Sequence, residues 1–384
     1  MARWYQNFFW RLLKMFYIPG LRKKYNVEAV FHDKEPTPPF ILMANHSHKS
    51  DPYMVGGYMK HTVNYMANID GVSNFQRKLA DLVGAYGKKK GAPDFKALKH
   101  TIELIKGGHA VGIFPEGDRS WDGETAEFIP GSVSMAKKYK IPIRIASLHG
   151  NYLSMPRWAD FPRKGRVHID FFTITKEEVA ATETYVIESK IKSILHHDDI
   201  KSEKNKNINF EGEGFAEGIQ RLLWICPACG KQDTLYGLGN DIKCSNCQNL
   251  WTLDGSLKIS PIGIQGDDLK DWAVWQKQEM KKICDDQNNN LLTETKNIKL
   301  AEIVNREVVN PCVGDIQLYH DRVEFHCESC EKITFNIELV AHYIDNFNKV
   351  FEFDYDPKRY RILFEGKNAS KWIFCLDYLK SGSL

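Results

Sequence analysis

The chain has 384 residues, enough for two or three domains, and its 43% hydrophobic and 26% charged residues are ordinary for a folded globular protein. A net charge of only +3 excludes bulk charge as an argument for nucleic-acid binding. The charge is unevenly spread, however, because residues 1–24 contain six basic residues and no acidic one.

Residues 1–24 are predicted to form an amphipathic helix that lies in a membrane interface. Ten aromatic and aliphatic residues between Trp4 and Ile18 are interrupted by Arg11 and Lys14. The uninterrupted apolar stretches are therefore far shorter than the ~20 residues that span a bilayer, and no small-residue cleavage site marks a signal peptide. Basic residues with Trp and Phe fit an interfacial helix; the alternative is a helix packed on the domain's own core. We expect a peripheral protein on the cytoplasmic face of a membrane.

Strands and helices are predicted to alternate between residues 25 and 200. The apolar run 40–43 predicts a strand that ends just before His46, and the run 110–114 predicts a second buried strand. Asp94 is predicted to cap a helix that ends at two glycines. The other predicted elements are strands at 61–66, 141–146 and 167–172 and helices at 73–83 and 132–140. This alternation predicts an α/β fold, a layered domain with a mixed, mostly parallel sheet and covering helices.

Two polar segments follow these two strands. Residues 45–51 read Asn-His-Ser-His-Lys-Ser-Asp, with His46 five positions before Asp51, and residues 114–120 read Phe-Pro-Glu-Gly-Asp-Arg-Ser. A histidine oriented by a carboxylate can take a proton from a hydroxyl, and an arginine beside a glycine turn can hold a phosphate. Asp51 precedes a proline and is expected to cap a helix. The base and its acid would then lie on a strand-to-helix turn at the open edge of the sheet. Taken singly, the two segments could be a surface pair and an ordinary turn.

In this order, the two segments resemble motifs I and III of the PlsC-type glycerolipid acyltransferase family, which includes the 1-acylglycerol-3-phosphate O-acyltransferases. Ile141-Pro142-Ile143 matches the family's motif IV, and residues 84–90 are a candidate for motif II. Two departures stand out: Lys90 occupies a position that is arginine in the family, and Phe128-Ile-Pro-Gly replaces a common Phe-Lys-x-Gly. The resemblance covers residues 1 to about 200, and its ordered set of motifs is far more specific than any one motif.

The resemblance implies an O-acyltransferase that moves a fatty acyl group from a thioester to the free hydroxyl of 1-acylglycerol 3-phosphate and forms phosphatidate. His46 would be the general base, and Asp51 would hold its imidazole in the right tautomer. The residues implied in binding the acceptor phosphate are Lys90, Glu116, Gly117 and Arg119. The donor would be acyl-CoA or acyl carrier protein, and the chemistry would require no cofactor. Because Lys90 lacks the bidentate fork of arginine, another glycerolipid acceptor stays open. So does a non-catalytic adaptor that binds lipid or a partner.

After residue 200 the composition changes. Residues 201–215 are polar and turn-rich, and are predicted to be a linker. Residues 216–255 contain two Cys-x-x-Cys pairs with 14 residues between them: Cys226, Cys229, Cys244 and Cys247. This spacing predicts a zinc ribbon with a structural ion, because four thiolates close the coordination sphere. The ribbon could dock a protein partner. No dense basic stripe surrounds it, so nucleic acid is not expected as a partner.

The remainder of the chain is predicted to contain a helical connector, residues 256–300, with a helix over 268–284. Residues 301–384 are predicted to be a β-rich domain, whose alternating strands and closing helix resemble the pleckstrin-homology or GRAM type of small barrel. Such a module would bind a lipid headgroup or a partner; the alternative is a β domain that only packs on its neighbours. Of nine cysteines, four are assigned to zinc, and we expect the other five to be reduced thiols in a cytosolic setting. A second metal site at Cys327 and Cys330 stays open.

Overall fold

The computed structural model describes residues 4–68, 74–88, 94–129, 131–288, 290–304, 307–327, 331–346, 350–364 and 368–382. The chain forms two compact units. The first comprises Met1–Arg157 and Pro162–Gly212, and the second comprises Trp158–Phe161 and Glu213–Leu384. Among the described residues, no helix is both long and apolar enough to cross a membrane.

One sheet lies at the centre of the first unit. Its strands, within the described residues, are β1 (Val27–Phe31), β2 (Ile41–Ala44), β3 (Val63–Asn68), β4 (Tyr86–Lys88), β5 (Ala110–Ile113), β6 (Ile143–His149) and β7 (Val167–Ile174). Their spatial order is β1-β7-β6-β2-β5-β3-β4. Every neighbouring pair is parallel except β6 and β7, which are antiparallel. The prediction of an α/β fold with a mixed, mostly parallel sheet is confirmed.

Helices cover both faces of this sheet. Those of the described first unit are α1 (Trp4–Leu12), α2 (Ile18–Tyr25), α3 (Asp51–Gly56), α4 (Asn74–Leu82), α5 (Phe95–Lys106), α6 (Ser132–Tyr139), α7 (Asn151–Ser154), α8 (Lys176–Ala181) and α9 (Thr184–Leu195). Alternate residues of β2 face opposite sides, so Leu42 packs with Trp10 and Tyr25, while Ile41 packs with Ile105 and Ile187. Asp94 caps α5 as predicted, because its carboxylate accepts two backbone N–H bonds of 3.0 Å.

The N-terminal helices bury one face and expose the other. A π-helical turn, Leu13–Tyr17, joins α1 to α2. Trp10 and Leu21 are buried in the core of the first unit, whereas Trp4 is 79% and Phe16 is 72% exposed. Packing on the domain's own core, the alternative raised by the sequence, therefore holds for one face. The interfacial position stays a prediction for the other face.

The predicted linker, residues 201–215, belongs to the first unit as far as Gly212. Phe210 is buried, and Lys164 and Glu211 exchange two backbone hydrogen bonds of 2.7 Å. The linker prediction is wrong for this part, because one buried aromatic anchors a stretch whose composition is otherwise polar.

The second unit begins with a small antiparallel sheet followed by a helix. Its described strands are β8 (Leu235–Leu238), β9 (Asp241–Cys244), β10 (Leu250–Leu253), β11 (Lys258–Gly263) and β12 (Gly266–Asp268), in the order β12-β11-β10-β9-β8. The helix, α10 (Leu269–Asp285), matches the predicted helix over 268–284. Trp251 of the sheet contacts Trp272 of the helix, with ring centroids 5.1 Å apart.

A larger antiparallel sheet and one helix complete the second unit. Its described elements are β13 (Thr293–Val304), β14 (Glu307–Leu318), β15 (Arg322–Cys327), β16 (Ile333–Asn336), β17 (Ala341–Asn346), β18 (Val350–Tyr355), β19 (Lys358–Leu363) and α11 (Ala369–Ser381). Their order is β16-β15-β14-β13-β19-β18-β17. The β-rich region with a closing helix is present. The boundary predicted at residue 300 is wrong because it falls inside β13. Trp224 and Met280 also share a core with this sheet. A pleckstrin-homology or GRAM identity stays a prediction.

The cysteines outside the four-cysteine cluster are arranged in two ways. Cys312 and Cys327, on the neighbouring strands β14 and β15, form a disulfide. The expectation of reduced thiols is therefore wrong for this pair, because sequence spacing does not reveal the register that brings them together. Cys284 and Cys375 are free and buried. Cys330 lies outside the described residues.

Candidate active site and metal centre

The two polar segments meet because their strands are neighbours. β2 and β5 are parallel and paired from Ile41 with Val111 to Met43 with Ile113, so their carboxyl ends open at one edge of the sheet. Two hydrogen bonds join the segments that follow. The backbone N–H of His46 donates to Oε1 of Glu116 at 2.6 Å, and the backbone N–H of Ser120 donates to the carbonyl of His46 at 2.9 Å.

His46 is held by a carboxylate and an aromatic ring. Its Nδ1 lies 2.8 Å from Oδ2 of Asp51, and its ring stacks on Phe114 with centroids 4.1 Å apart. An ionised carboxylate can only accept hydrogen bonds, so Nδ1 carries the proton and Nε2 is left as the basic nitrogen. The His46 side chain is 19% exposed and that of Asp51 is fully buried. The pair therefore combines a fixed tautomer with a base that solvent or substrate can reach.

The Asp51 carboxylate accepts four N–H bonds. Besides His46, the donors are the backbone amides of Ser47 at 2.9 Å and His48 at 2.8 Å and the side-chain amide of Asn151 at 3.2 Å. These donors stabilise its negative charge in a buried position. Asp51 is the first residue of α3, and its carboxylate faces the preceding loop. The prediction that it caps α3 is wrong, because these amides use its oxygens.

His48 is a buried neutral neighbour, not a second base. It lies against Tyr25, with ring centroids 4.8 Å apart, and its Nδ1 accepts the backbone N–H of Ser50 at 2.8 Å. Burial lowers the pKa of His48 to about 4, so the ring is uncharged near neutral pH.

Glu116 is placed differently from a phosphate ligand. Its side chain is buried, with Oε1 accepting the N–H of His46 and Oε2 the N–H of Ala126 at 3.0 Å. Burial raises the pKa of Glu116 to about 8, although both N–H bonds act in the opposite direction. Because both carboxyl oxygens of Glu116 accept backbone amides, they are not directed at a phosphate, and we assign Glu116 to holding the His46 loop in place.

The turn at residue 117 requires a glycine. Its φ is +74°, and a β-carbon there would come within 2.5 Å of Cδ1 of Ile129. Its N–H donates to the carbonyl of Phe114 at 3.0 Å. The atom that lies too close for a β-carbon at residue 117 therefore belongs to Ile129 of this protein, and not to a bound ligand. The half-buried Arg119 lies on the same turn, next to Ser120. Lys90 lies outside the described residues, two positions after β4.

Arg157, which was not predicted from the sequence, stabilises the turn that contains Asp118 and Arg119. Its guanidinium Nη1 donates to Oδ2 of Asp118 at 2.7 Å and to the carbonyl of Arg119 at 3.0 Å, and the group lies 4.2 Å from the ring centre of Trp121. No local signal marks it, because Arg157 lies 38 residues after Arg119 in the chain.

The four cysteines of the two Cys-x-x-Cys pairs converge as predicted. One Sγ from each lies within 4.8 Å of the other three. The Sγ atoms of Cys226 and Cys247 are 3.7 Å apart, and those of Cys229 and Cys244 are 3.8 Å apart. A tetrahedral zinc with Zn–S bonds of about 2.3 Å requires S–S separations of about 3.8 Å. The thiols therefore fit a closed tetrahedral site.

Both polar segments, residues 45–51 and 114–120, lie in a region that is similar to known proteins. Residues 26–145 match the family model described as Acyltransferase. The chain is 28% identical over 150 residues to a "Probable 1-acyl-sn-glycerol-3-phosphate acyltransferase" of Mycoplasma genitalium, covering 37% of this chain and 54% of that protein. It is also 28% identical over 192 residues to the 1-acyl-sn-glycerol-3-phosphate acyltransferase of Bacillus subtilis, covering 45% of this chain and 87% of that protein.

The chain is also similar to a solved structure. It is the crystal structure of the 1-acyl-sn-glycerophosphate (LPA) acyltransferase, PlsC, from Thermotoga maritima. It aligns with a TM-score of 0.40 and 20% identity, covering 49% of this chain and 79% of that chain.

Proposed function

We propose that this protein, whose residues 26–145 match the acyltransferase family model, transfers a fatty acyl group from a thioester to the free hydroxyl of 1-acylglycerol 3-phosphate. The product is phosphatidate. The observation that carries the proposal is the His46–Asp51 pair, with its 2.8 Å contact and a carboxylate fixed by three further N–H donors. The names of the two bacterial relatives support the choice of acceptor.

The reaction is a direct transfer. Nε2 of His46 takes the proton of the acceptor hydroxyl as its oxygen attacks the thioester carbonyl, and Asp51 stabilises the imidazolium that forms. The C–S bond breaks, and the leaving thiolate takes the proton from His46. Ser47 and Ser50 are buried, and neither lies in a Gly-x-Ser-x-Gly elbow. The nucleophile is therefore the acceptor's own hydroxyl, and no acyl-enzyme forms. The donor is acyl-CoA or acyl carrier protein.

The acceptor phosphate is bound by Arg119, together with Lys90. Arg119 is a half-buried residue on a turn that is hydrogen-bonded to the His46 loop. Arginine suits this task because its fork matches phosphate oxygens.

Replacing Arg119 with glutamine is expected to raise KM for lysophosphatidate by roughly 10–100-fold, the effect of losing a hydrogen bond to a charged group. The rate with monoacylglycerol, which lacks the phosphate, is expected to change little. Steady-state kinetics with both acceptors checks this, with Arg166→Gln, an exposed arginine paired with Glu28, as the matched control. Equal losses with both acceptors would contradict a phosphate-binding role for Arg119.

The exposed face of the N-terminal helices lies in the membrane interface in this proposal. Trp4, Phe8, Met15 and Phe16 are exposed large apolar side chains on these helices, and the segment carries no acidic residue. Aromatic rings with basic neighbours suit the headgroup region of anionic lipid. At this position the enzyme would lie at the membrane surface that contains its lipid substrate.

The double substitution Trp4→Ser and Phe16→Ser is expected to weaken binding to anionic phospholipid vesicles by roughly 10–100-fold, because two aromatic side chains lose their burial in lipid. Cosedimentation with vesicles measures this. Phe95→Ser, which removes an equally exposed ring from α5, is the matched control. Unchanged vesicle binding by the double variant would contradict the interfacial position.

In the second unit, the proposal includes one structural zinc ion held by Cys226, Cys229, Cys244 and Cys247. The S–S separations near 3.8 Å support it. Four thiolates leave no open position for substrate, so the ion stabilises the small sheet and takes no part in acyl transfer. The surface around it is the proposed docking site for a protein partner.

A further inference from the structure

Asn151 completes the set of donors around the catalytic carboxylate. Its side-chain Nδ2 lies 3.2 Å from Oδ1 of Asp51, and both side chains are fully buried. The carboxylate can only accept, so the amide nitrogen must face it. Oδ2 of Asp51 is used by His46 and two backbone amides. The amide of Asn151 is thus the partner of the other oxygen, and it fixes the rotation of the carboxylate about its Cβ–Cγ bond.

A second carboxylate fixes the backbone on both sides of Asn151. Oδ1 of Asp199 accepts the N–H of Gly150, and Oδ2 accepts the N–H of Tyr152, each at 2.9 Å. Gly150 has φ of +77°, and a β-carbon there would lie 2.3 Å from the carbonyl oxygen of Arg166. The turn that presents Asn151 is therefore tightly constrained.

The same turn is joined to the His46 loop by Asn45. Its Oδ1 accepts the N–H of Leu148 at 2.8 Å, and its Nδ2 donates to the carbonyl of Leu148 at 2.9 Å. The end of β6 and the end of β2 are therefore bonded to each other one residue before His46 and two residues before Gly150. The Gly150–Tyr152 turn and the His46 loop are therefore connected by buried hydrogen bonds.

His149 and His197 lie beside Asp199, and the three side chains could also be interpreted as a metal site. One ligand atom each from His149, His197 and Asp199 lies within 4.8 Å of the others, as in a metal site. However, the Asp199 oxygens already accept bonds from Gly150, Tyr152 and Asn205. Burial alone would lower the pKa of His197, but the contact of its Nε2 with Oδ1 of Asp199, 3.4 Å away, raises that pKa above its ordinary value. We therefore interpret the cluster of His149, His197 and Asp199 as holding the turn at residues 150–152 in place.

We propose that Asn151 is a positioning residue for the His46–Asp51 pair, and that Asp199 holds Asn151 in place. This inference rests on the proposed function. It adds two residues that lie beyond the matched region, residues 26–145. Asn151 orients the carboxylate that orients the base; neither Asn151 nor Asp199 touches substrate.

The decisive variants are Asn151→Ala and Asn151→Asp. Asn151→Ala is expected to lower kcat by about 10–100-fold with KM within about twofold, as for a misplaced catalytic group. Asn151→Asp places a carboxyl beside Asp51 and loses the donor, so it is as slow near pH 8. As the pH falls, one of the two carboxyls takes a proton, and the bond to Asp51 can form again. The ratio of kcat for Asn151→Asp to kcat for Asn151→Ala is therefore expected to rise from pH 8 to pH 5.5.

Two further variants separate positioning from stability. Asp199→Asn is expected to lower kcat similarly, and combining it with Asn151→Ala should cause little further loss, because both act through one path. Tyr58→Phe removes a part-buried 2.8 Å hydrogen bond to the Val27 carbonyl elsewhere in the unit, and should leave kcat unchanged. An active wild type with an unchanged kcat in Asn151→Ala, or a pH-independent ratio, would overturn the proposal.

An inactive wild type would instead overturn the proposed function. In that case the nitrogen-15 resonances of His46 still test the inference. Asn151→Ala should shift the Nδ1–H signal of His46, whereas Tyr58→Phe should not, and an unshifted signal would overturn the positioning role.

Discussion

Replacing His46 with alanine is expected to lower kcat for acyl transfer by about 10²–10⁴-fold, the usual contribution of a positioned general base. KM should change little, because the imidazole acts on the proton of the hydroxyl and not on the phosphate. The rate of transfer from a labelled acyl thioester to lysophosphatidate measures the effect. His100→Ala removes an exposed histidine from α5 and is the matched control.

The folded state of the His46→Ala variant must be verified separately, since Asp51 loses one of its four N–H donors. Circular dichroism and thermal unfolding serve this purpose. A folded variant that transfers acyl groups at the wild-type rate would exclude His46 as the base. If the wild type also transferred nothing, while vesicle binding was intact, the protein would be a lipid-binding adaptor with the shape of the enzyme.

Removing the metal centre is expected to have the second large effect. Wild-type protein should contain one zinc ion per chain, and the double substitution Cys226→Ser and Cys247→Ser should contain almost none. Zinc-binding free energy in small sites is folding free energy, roughly 10–16 kcal/mol in zinc-finger peptides. The sheet β8–β10 should therefore lose its protection from hydrogen exchange when zinc is absent. Elemental analysis and hydrogen exchange measure the two effects.

The matched control for the metal centre is Cys284→Ala. Cys284 is buried in the second unit but lies outside the four-cysteine cluster, so this variant should retain its zinc. A folded wild-type protein without zinc, whose four cysteines are oxidised to two disulfides, would contradict the structural-zinc proposal.

The parts of the site that could be predicted from the sequence are those that are local in the chain. His46 and Asp51 are five residues apart on one turn, and the apolar runs before the two motifs identify parallel strands whose ends meet at one edge. Asn151 lies 100 residues from Asp51. No composition or spacing reveals such a contact, because it depends on how β6 and β2 are paired. Glu116 shows a second limit: its motif suggests a ligand, but burial decides what its carboxylate does.

The same distinction applies to domain organisation. The spacing of the two Cys-x-x-Cys pairs is a local feature of the sequence, and it predicted the observed cluster of four thiols. The boundaries around it depend on shared burial, which is not local: Trp224, Met280 and the large sheet form one core. Likewise, Phe210 ties a polar segment to the first unit. In residues 201–212 the burial of one aromatic side chain, Phe210, accompanies an otherwise polar composition.

The most direct test of the central claim is to supply wild-type, zinc-loaded protein with an isotope-labelled acyl thioester and lysophosphatidate, and to identify the product by mass spectrometry. Both acyl-CoA and acyl carrier protein should be tried as donors. We predict labelled phosphatidate, with one thiol released for each acyl group transferred. Release of thiol without labelled phosphatidate, or no reaction with either donor, would contradict the proposed transfer of an acyl group to lysophosphatidate.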